Sequence, residues 1–263
     1  MIMSLKITNL NYGYRKNEEV IKNLSLYIGS GEHVALMGSS GSGKSTLLKL
    51  IMSYLKPNSG NIYINDHPVV YNNPLNNIAY VSQSSVKTLF PWLRVIDNIK
   101  YPLKLRKQLT KDNIIYCDYL IEKFNLSHKT RSFPLMLSGG EQKRLSLAIA
   151  LSYKPELVLL DEPFSGVDFS LTEELWSLLY EYFKTNRTTV FFATHNINEA
   201  AVMADRVVFL NYNKCITESK VMLKEYEDSE DANRSDLLLK GNILPYKSAI
   251  ISEYKNSIIK PHE

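Results

Sequence analysis

The sequence predicts an α/β fold: a core of parallel strands and helices, an antiparallel β subdomain, and an inserted helical subdomain. Three observations predict it. His33-Val34-Ala35-Leu36-Met37 is an apolar run suited to a buried strand. Gly-Ser-Ser-Gly-Ser-Gly-Lys-Ser-Thr follows at 38–46, then apolar residues at helical spacing, Leu47, Leu48, Ile51, Met52 and Leu55. Leu157-Val158-Leu159-Leu160 is a second buried-strand run, ended by Asp161 and Glu162. Leu5-Lys6-Ile7-Thr8 and Asn61-Ile62-Tyr63-Ile64 instead alternate apolar and polar, as half-buried antiparallel strands do.

The elements follow in order. Residues 4–30 and 60–70 read as the antiparallel strands, and residues 31–56 and 156–212 as the core. The first helix is expected from Lys44 to Leu55, stopped by Pro57 and Gly60. Residues from about 86 to 154 read mostly as helices, clearest at Ile114 to Phe124 and from Gly140 to about Tyr153. Thr188 to Ala193 is rich in β-branched and aromatic residues and reads as a strand leading to Thr194 and His195. Glu225-Tyr226-Glu227-Asp228-Ser229-Glu230-Asp231 is an acidic run expected to be a solvated linker. The expected division is a nucleotide-binding domain at 1–225 and a C-terminal extension of unassigned role at 226–263.

Composition narrows the class. Hydrophobic residues make up 44% and charged residues 22%, ordinary for a soluble globular chain. A net charge of +4 is too mild for a nucleic-acid partner, whose binding domains show clustered basic faces. Two cysteines, Cys117 and Cys215, without metal-ligand spacing, fit a reducing compartment. No stretch approaches the roughly 20 apolar residues of a membrane helix. The start, Met1 to Lys6, lacks a signal-peptide core. Work at a membrane would need another chain to cross it.

Gly38, Gly43, Lys44 and Ser45 fill every fixed position of the phosphate-binding loop, G-x-x-x-x-G-K-[ST], so the core is that of a P-loop NTPase. Residues Gly38, Ser39, Ser40, Gly41, Ser42, Gly43, Lys44, Ser45 and Thr46 are the candidate phosphate cradle for ATP. Glycines let successive amides face the oxygens, and the helix that follows adds the positive end of its dipole. Lys44 is expected on the β- and γ-phosphates and the Ser45 hydroxyl on Mg²⁺. A flexible Gly/Ser linker would not lie between a strand and a helix. Asp161 falls at the carboxyl end of its strand, where open α/β sheets bind ligands, and suits a direct or water-mediated Mg²⁺ contact. Glu162 is the candidate that positions and polarises the attacking water. Alone, a strand ending in Asp-Glu-Pro would be a strand-to-turn junction; beside the loop it reads as the second half of a nucleotide site.

Residues 137–144 read Leu-Ser-Gly-Gly-Glu-Gln-Lys-Arg. Here the chain resembles the ATP-binding subunits of ABC transporters, over roughly residues 4 to 212. Ser138 and Glu141 also match a capping box, and a capped helix start still offers amides to a phosphate. The resemblance implies that Ser138, Gly139, Gly140 and Glu141 bind the ATP held by the opposite subunit. It implies that Tyr14 stacks on adenine, with Tyr12 as its rival, and that Gln83 contacts Mg²⁺ and the attacking water. Asp168 looks like the residue that touches the other subunit, and His195 like the switch histidine on the γ-phosphate. Read singly, these would be a strand tyrosine, a polar surface glutamine, a turn aspartate and a strand-end histidine.

Two departures stand out. Thr194-His195-Asn196 replaces the family's frequent Thr-His-Asp, and Ile149 replaces an arginine that often braces the helix after the signature. Leu89-Phe90-Pro91-Trp92-Leu93 resembles a stretch of the nitrate, sulfonate and taurine importers and reads either as core or as an exposed docking surface.

The resemblance implies an ATP hydrolase that powers a separate transmembrane permease from the cytoplasmic face of the membrane, as a peripheral protein. Its implied cofactors are ATP and Mg²⁺. Its implied partners are the permease, a second copy of this chain as a homodimer, and, for an importer, a solute-binding protein. The chain shows no internal repeat, so composite sites require two chains. The competing readings are an ABC-type exporter or lipid-transport ATPase, a soluble ABC ATPase acting on ribosomes or DNA, and a non-catalytic ATP-binding regulator. Ribosome-acting relatives carry two modules and DNA-repair relatives carry coiled coils, and neither is visible here.

Overall fold

A computed structural model of the chain describes residues 3–15, 18–73, 75, 77–211, 216–222 and 244–258. The acidic run and Cys215 lie outside the described residues. Among these residues two sheets form. One is four-stranded and antiparallel, in the order β2-β1-β4-β5, built from β1 (Leu5–Arg15), β2 (Glu18–Ile28), β4 (Ser59–Ile64) and β5 (His67–Pro68). The other has six strands in the order β10-β9-β3-β8-β7-β6. Its strands are β3 (His33–Met37), β6 (Ile78–Val81), β7 (Leu157–Asp161), β8 (Thr189–Thr194), β9 (Arg206–Leu210) and β10 (Ile216–Met222). Only β10 runs antiparallel.

The parallel strands are apolar throughout because both faces are covered. On β8 the alternation is visible: Val190 and Phe192 join one core cluster, Phe191 and Ala193 the other. The first cluster holds Trp176, Phe183 and Phe192 and continues into the helical subdomain. The second lies under the antiparallel sheet and contains Leu47, Leu48 and Ile51 of helix α1 (Lys44–Ile51).

The helical insertion comprises α2 (Val95–Leu105), α3 (Lys111–Lys123) and α4 (Gly139–Leu151), with three short 3-10 turns. Beyond it come α5 (Phe169–Asn186), α6 (Ile197–Met203) and α7 (Leu244–Ile258). Helix α7 returns to the core: Tyr246 and Ile250 are buried in the first cluster, and Tyr254 lies 5.8 Å from the Phe209 ring.

Two helices end earlier than their apolar spacing suggests. Helix α1 stops at Ile51, not Leu55, because Ser53 adopts a left-handed φ of 58° before Pro57 can act. Helix α4 stops at Leu151, two residues short of Tyr153, ahead of Lys154 at φ 52° and Pro155.

Candidate functional site

The carboxyl ends of β3, β8, β7 and β6 lie side by side in the sheet. They deliver the phosphate loop, His195, Asp161 with Glu162, and Gln83. Residues more than a hundred positions apart in sequence therefore meet at one edge.

The loop leaves β3 and enters α1 through Gly43 at φ 106°. A Cβ there would lie 3.0 Å from the Val20 carbonyl, and one at Gly38 would lie 2.6 Å from that of Leu210, so both positions need glycine. No side chain caps α1, which leaves its first amides for another acceptor. The Ser42 hydroxyl is buried without a hydrogen-bond partner, a polar group awaiting a ligand. Lys44 is itself buried; its Nζ donates to the carbonyls of Gly38 at 2.9 Å and Ser39 at 3.1 Å.

Glu162 stands at the centre. Its Oε1 lies 3.6 Å from Lys44 Nζ and 3.4 Å from His195 Nδ1. Gln83 Nε2 lies 3.4 Å from its Oε2 and from Ser165 Oγ. Glu162 has φ 45°, an uncommon conformation for a side-chain-bearing residue, held by its amide on the Ala193 carbonyl at 3.0 Å. Asp161 is buried and receives two hydroxyls, Ser45 Oγ on Oδ1 at 2.8 Å and Tyr80 OH on Oδ2 at 3.1 Å. Burial first, then the Asp161 charge, raises the Tyr80 phenol well above its ordinary range, so it donates. Carboxylate, hydroxyl and amide side chains are hard oxygen donors, which fits Mg²⁺ shared with phosphate and water.

His195 is exposed, but the turn that carries it is pinned. The Asn196 amide donates to Thr194 Oγ1 at 2.9 Å, and Thr194 Oγ1 donates to buried Glu199 at 2.7 Å. The Glu199 carboxyl is pushed up to about 8, chiefly by burial. Asn196 caps α6 by accepting from the Asn198 amide at 2.9 Å, work an aspartate would do equally well, so the departure at this position costs no cap. Ile149 lines an open cleft with Tyr54, Tyr80, Phe90, Tyr101 and Tyr153. A cation reaches that cleft from another helix: the Arg106 guanidinium lies 3.8 Å over the Tyr153 ring.

The other predicted residues separate by position. Tyr14 is 55% exposed, with its hydroxyl 3.2 Å from Thr46 Oγ1, while Tyr12 is buried edge-on against it. Exposure at the loop favours Tyr14 over its rival. Ser138 caps α4 in a full capping box: its side chain accepts from the Glu141 amide at 3.2 Å, and Glu141 accepts from the Ser138 amide at 2.7 Å. That backbone bond is the main reason the Glu141 carboxyl sits below its ordinary value. Gly139 and Gly140 form the first turn behind the cap. Asp168 is exposed and caps α5. Ser39, Ser40 and Gly41 form the loop's outer rim beside Glu18 and Glu19. Sequence reasoning missed Tyr80, Glu199 and Asn98, none of which carries a local signal.

Comparison with known proteins gives the family. The family model described as ABC transporter matches residues 21–165. The chain belongs to the ABC transporter family. This cassette is 34% identical over 239 residues to the aliphatic sulfonates import ATP-binding protein of Granulibacter bethesdensis, covering 90% of this chain and 92% of that one. It is 32% identical over 212 residues to the nitrate import ATP-binding protein of Synechocystis sp., covering 80% and 78%. Among solved structures it resembles the dimeric structure of MJ0796, a bacterial ABC transporter cassette. There the TM-score is 0.73 and identity 28%, over 83% of this chain and 98% of that one. A structure of the same cassette in a post-hydrolysis state bound to ADP and Pi matches with a TM-score of 0.70. ATP binding and hydrolysis are the activity of this ABC cassette.

Proposed function

We propose that this chain is the ATP-hydrolysing subunit of an ABC importer for a small solute of the nitrate, sulfonate or taurine kind. One observation carries the catalytic part: the Glu162 carboxylate stands within 3.6 Å of Lys44 and 3.4 Å of both His195 and Gln83. That group can draw a proton from water while three polar side chains hold what surrounds it.

Lys44 shares its charge with Glu162 across 3.6 Å. The γ-phosphate competes for that lysine, which frees the Glu162 carboxylate to orient water. His195 and the amides at 38–46 meet the phosphate oxygens, and Tyr14 receives the adenine. Asp161, Ser45 and Gln83 would hold Mg²⁺, which would supply positive charge to offset that of the phosphates. Ser138, Gly139, Gly140, Glu141 and Asp168 act on the nucleotide of a second copy, so ATP joins two chains.

The names of the nitrate and sulfonate relatives support the importer and its substrate class. A separate permease supplies the crossing, since no helix among the described residues is long and apolar enough to span a membrane. The cytoplasmic face is the place for a peripheral subunit that consumes ATP, and a solute-binding protein would deliver the cargo. The turn at 90–94 presents Trp92, 69% exposed, as the permease-facing surface beside the Gln83 loop. Phosphate release tests the catalytic part: Glu162→Gln should lower turnover about 10²- to 10⁴-fold while ATP still binds. Wild-type turnover in that variant would overturn the assigned role.

A further inference from the structure

The cleft between the core and the helical insertion contains a side chain that reaches the metal carboxylate. Strand β6 pairs with β7 so that Tyr80 stands opposite Leu159. Alternation then puts Asp161, two residues on, on the same face as Tyr80. A tyrosine is long enough to span that diagonal, and its hydroxyl meets Asp161 Oδ2 at 3.1 Å. Its ring meanwhile forms part of the wall of two open cavities, of about 540 and 470 Å³. The ring is braced by Tyr54, edge-on at 6.1 Å.

Asp161 thus has one hydroxyl on each oxygen, and the two are not equivalent. Ser45 is itself an expected metal donor, so its bond to Oδ1 competes with that duty. Tyr80 has no such second task. We infer that Tyr80 is a positioning residue for the metal: its hydroxyl holds Asp161 in the orientation that receives Mg²⁺, from the nucleotide-free to the loaded state. A partner bond to a ligating carboxylate fixes its direction, and loss of such bonds typically weakens metal affinity about 10- to 100-fold. The low end is expected here because phosphate oxygens and Ser45 would share the ion. The inference rests on the nucleotide reading above.

The test uses the full chain, with Mn²⁺ as the paramagnetic probe and ADP as the nucleotide. Tyr80→Phe removes the hydroxyl and keeps the ring. Mn²⁺ affinity of the ADP complex, read by electron paramagnetic resonance, should fall about tenfold. ADP affinity measured in EDTA should stay within twofold, as should Mn²⁺ affinity in Tyr54→Phe, which alters the same cleft without touching Asp161. Unchanged Mn²⁺ affinity in Tyr80→Phe would overturn the inference, and so would a parallel loss of metal-free ADP binding, which would mark a merely structural role. Failure of the wild-type chain to bind ADP at all would refute the nucleotide reading, and this inference with it.

Discussion

Replacing Asn98 with alanine should unfasten the turn that displays Trp92. Asn98 is fully buried on α2, and its side chain is the fastener. Its Oδ1 accepts from the Phe90 amide at 3.0 Å, and its Nδ2 donates to the carbonyls of Phe90, Leu93 and Arg94 at 3.1, 2.9 and 3.2 Å. Two of those groups have other bonds: the Phe90 carbonyl accepts from the Leu93 amide and the Arg94 carbonyl from the Asn98 amide. The Phe90 amide and the Leu93 carbonyl would be left without a partner. A polar group stranded in this way costs about 1–3 kcal/mol, so the pair should cost about 3 kcal/mol where water reaches part of the turn. For a chain of this size that corresponds to a fall of about 8 °C in Tm. Thermal unfolding reads the global effect and hydrogen exchange at the Phe90 amide reads the local one. Asn98→Asp keeps the acceptor but sets a buried carboxylate against the Phe90, Leu93 and Arg94 carbonyls, so it should cost at least as much as alanine. An unchanged Tm together with unchanged exchange at Phe90 would refute the reasoning.

Two further outcomes follow from the site. Glu199 keeps its proton in the folded chain up to about pH 8, with the Glu162 carboxylate and the Lys143 ammonium, itself lowered to about 8 by burial, facing it. The unfolded chain releases that proton near the ordinary value, so the folded state loses stability as pH rises between the two. Glu199→Gln removes this term, so its stability relative to wild type should rise from pH 5 to pH 8, by at most about 1.4 kcal/mol per pH unit, read as a widening Tm difference; parallel pH–Tm curves would contradict it. Ser138→Ala removes the acceptor of the capping box and should cost about 1 kcal/mol in stability. It should also lower ATP turnover, and full activity alongside that Tm loss would separate the cap from phosphate binding.

The phosphate loop was legible because its chemistry is local. Nine consecutive residues supply the amides, the lysine and the hydroxyl, and flanking periodicity places them between strand and helix. The pair Asp161-Glu162 was legible for the same reason. The parallel core and the antiparallel strands could be read from periods of burial alone. Strand order could not, since nothing in 157–161 says that β8 rather than β6 lies beside β3. Tyr80, Asn98 and Glu199 were hidden for a related reason: each matters through a partner that only the fold brings near. Tyr80 needs Asp161, 81 positions away. Asn98 needs a turn just upstream whose carbonyls point inward, and backbone direction is silent in a side-chain pattern. Glu199 would pass for an exposed charge on a seven-residue helix, and burial alone makes it a neutral acid. The segment Leu89–Leu93 was ambiguous for want of depth: Leu89 is core and Trp92 is surface, within one short turn.

ATP is expected to join two copies of this chain, and the molar mass of Glu162→Gln in solution tests that most directly. Light scattering should read a monomer without nucleotide and a dimer with saturating MgATP. Lys44→Ala introduced into that background should restore the monomer. A Glu162→Gln chain that binds ATP yet keeps its monomer mass, both alone and with its permease, would contradict the account.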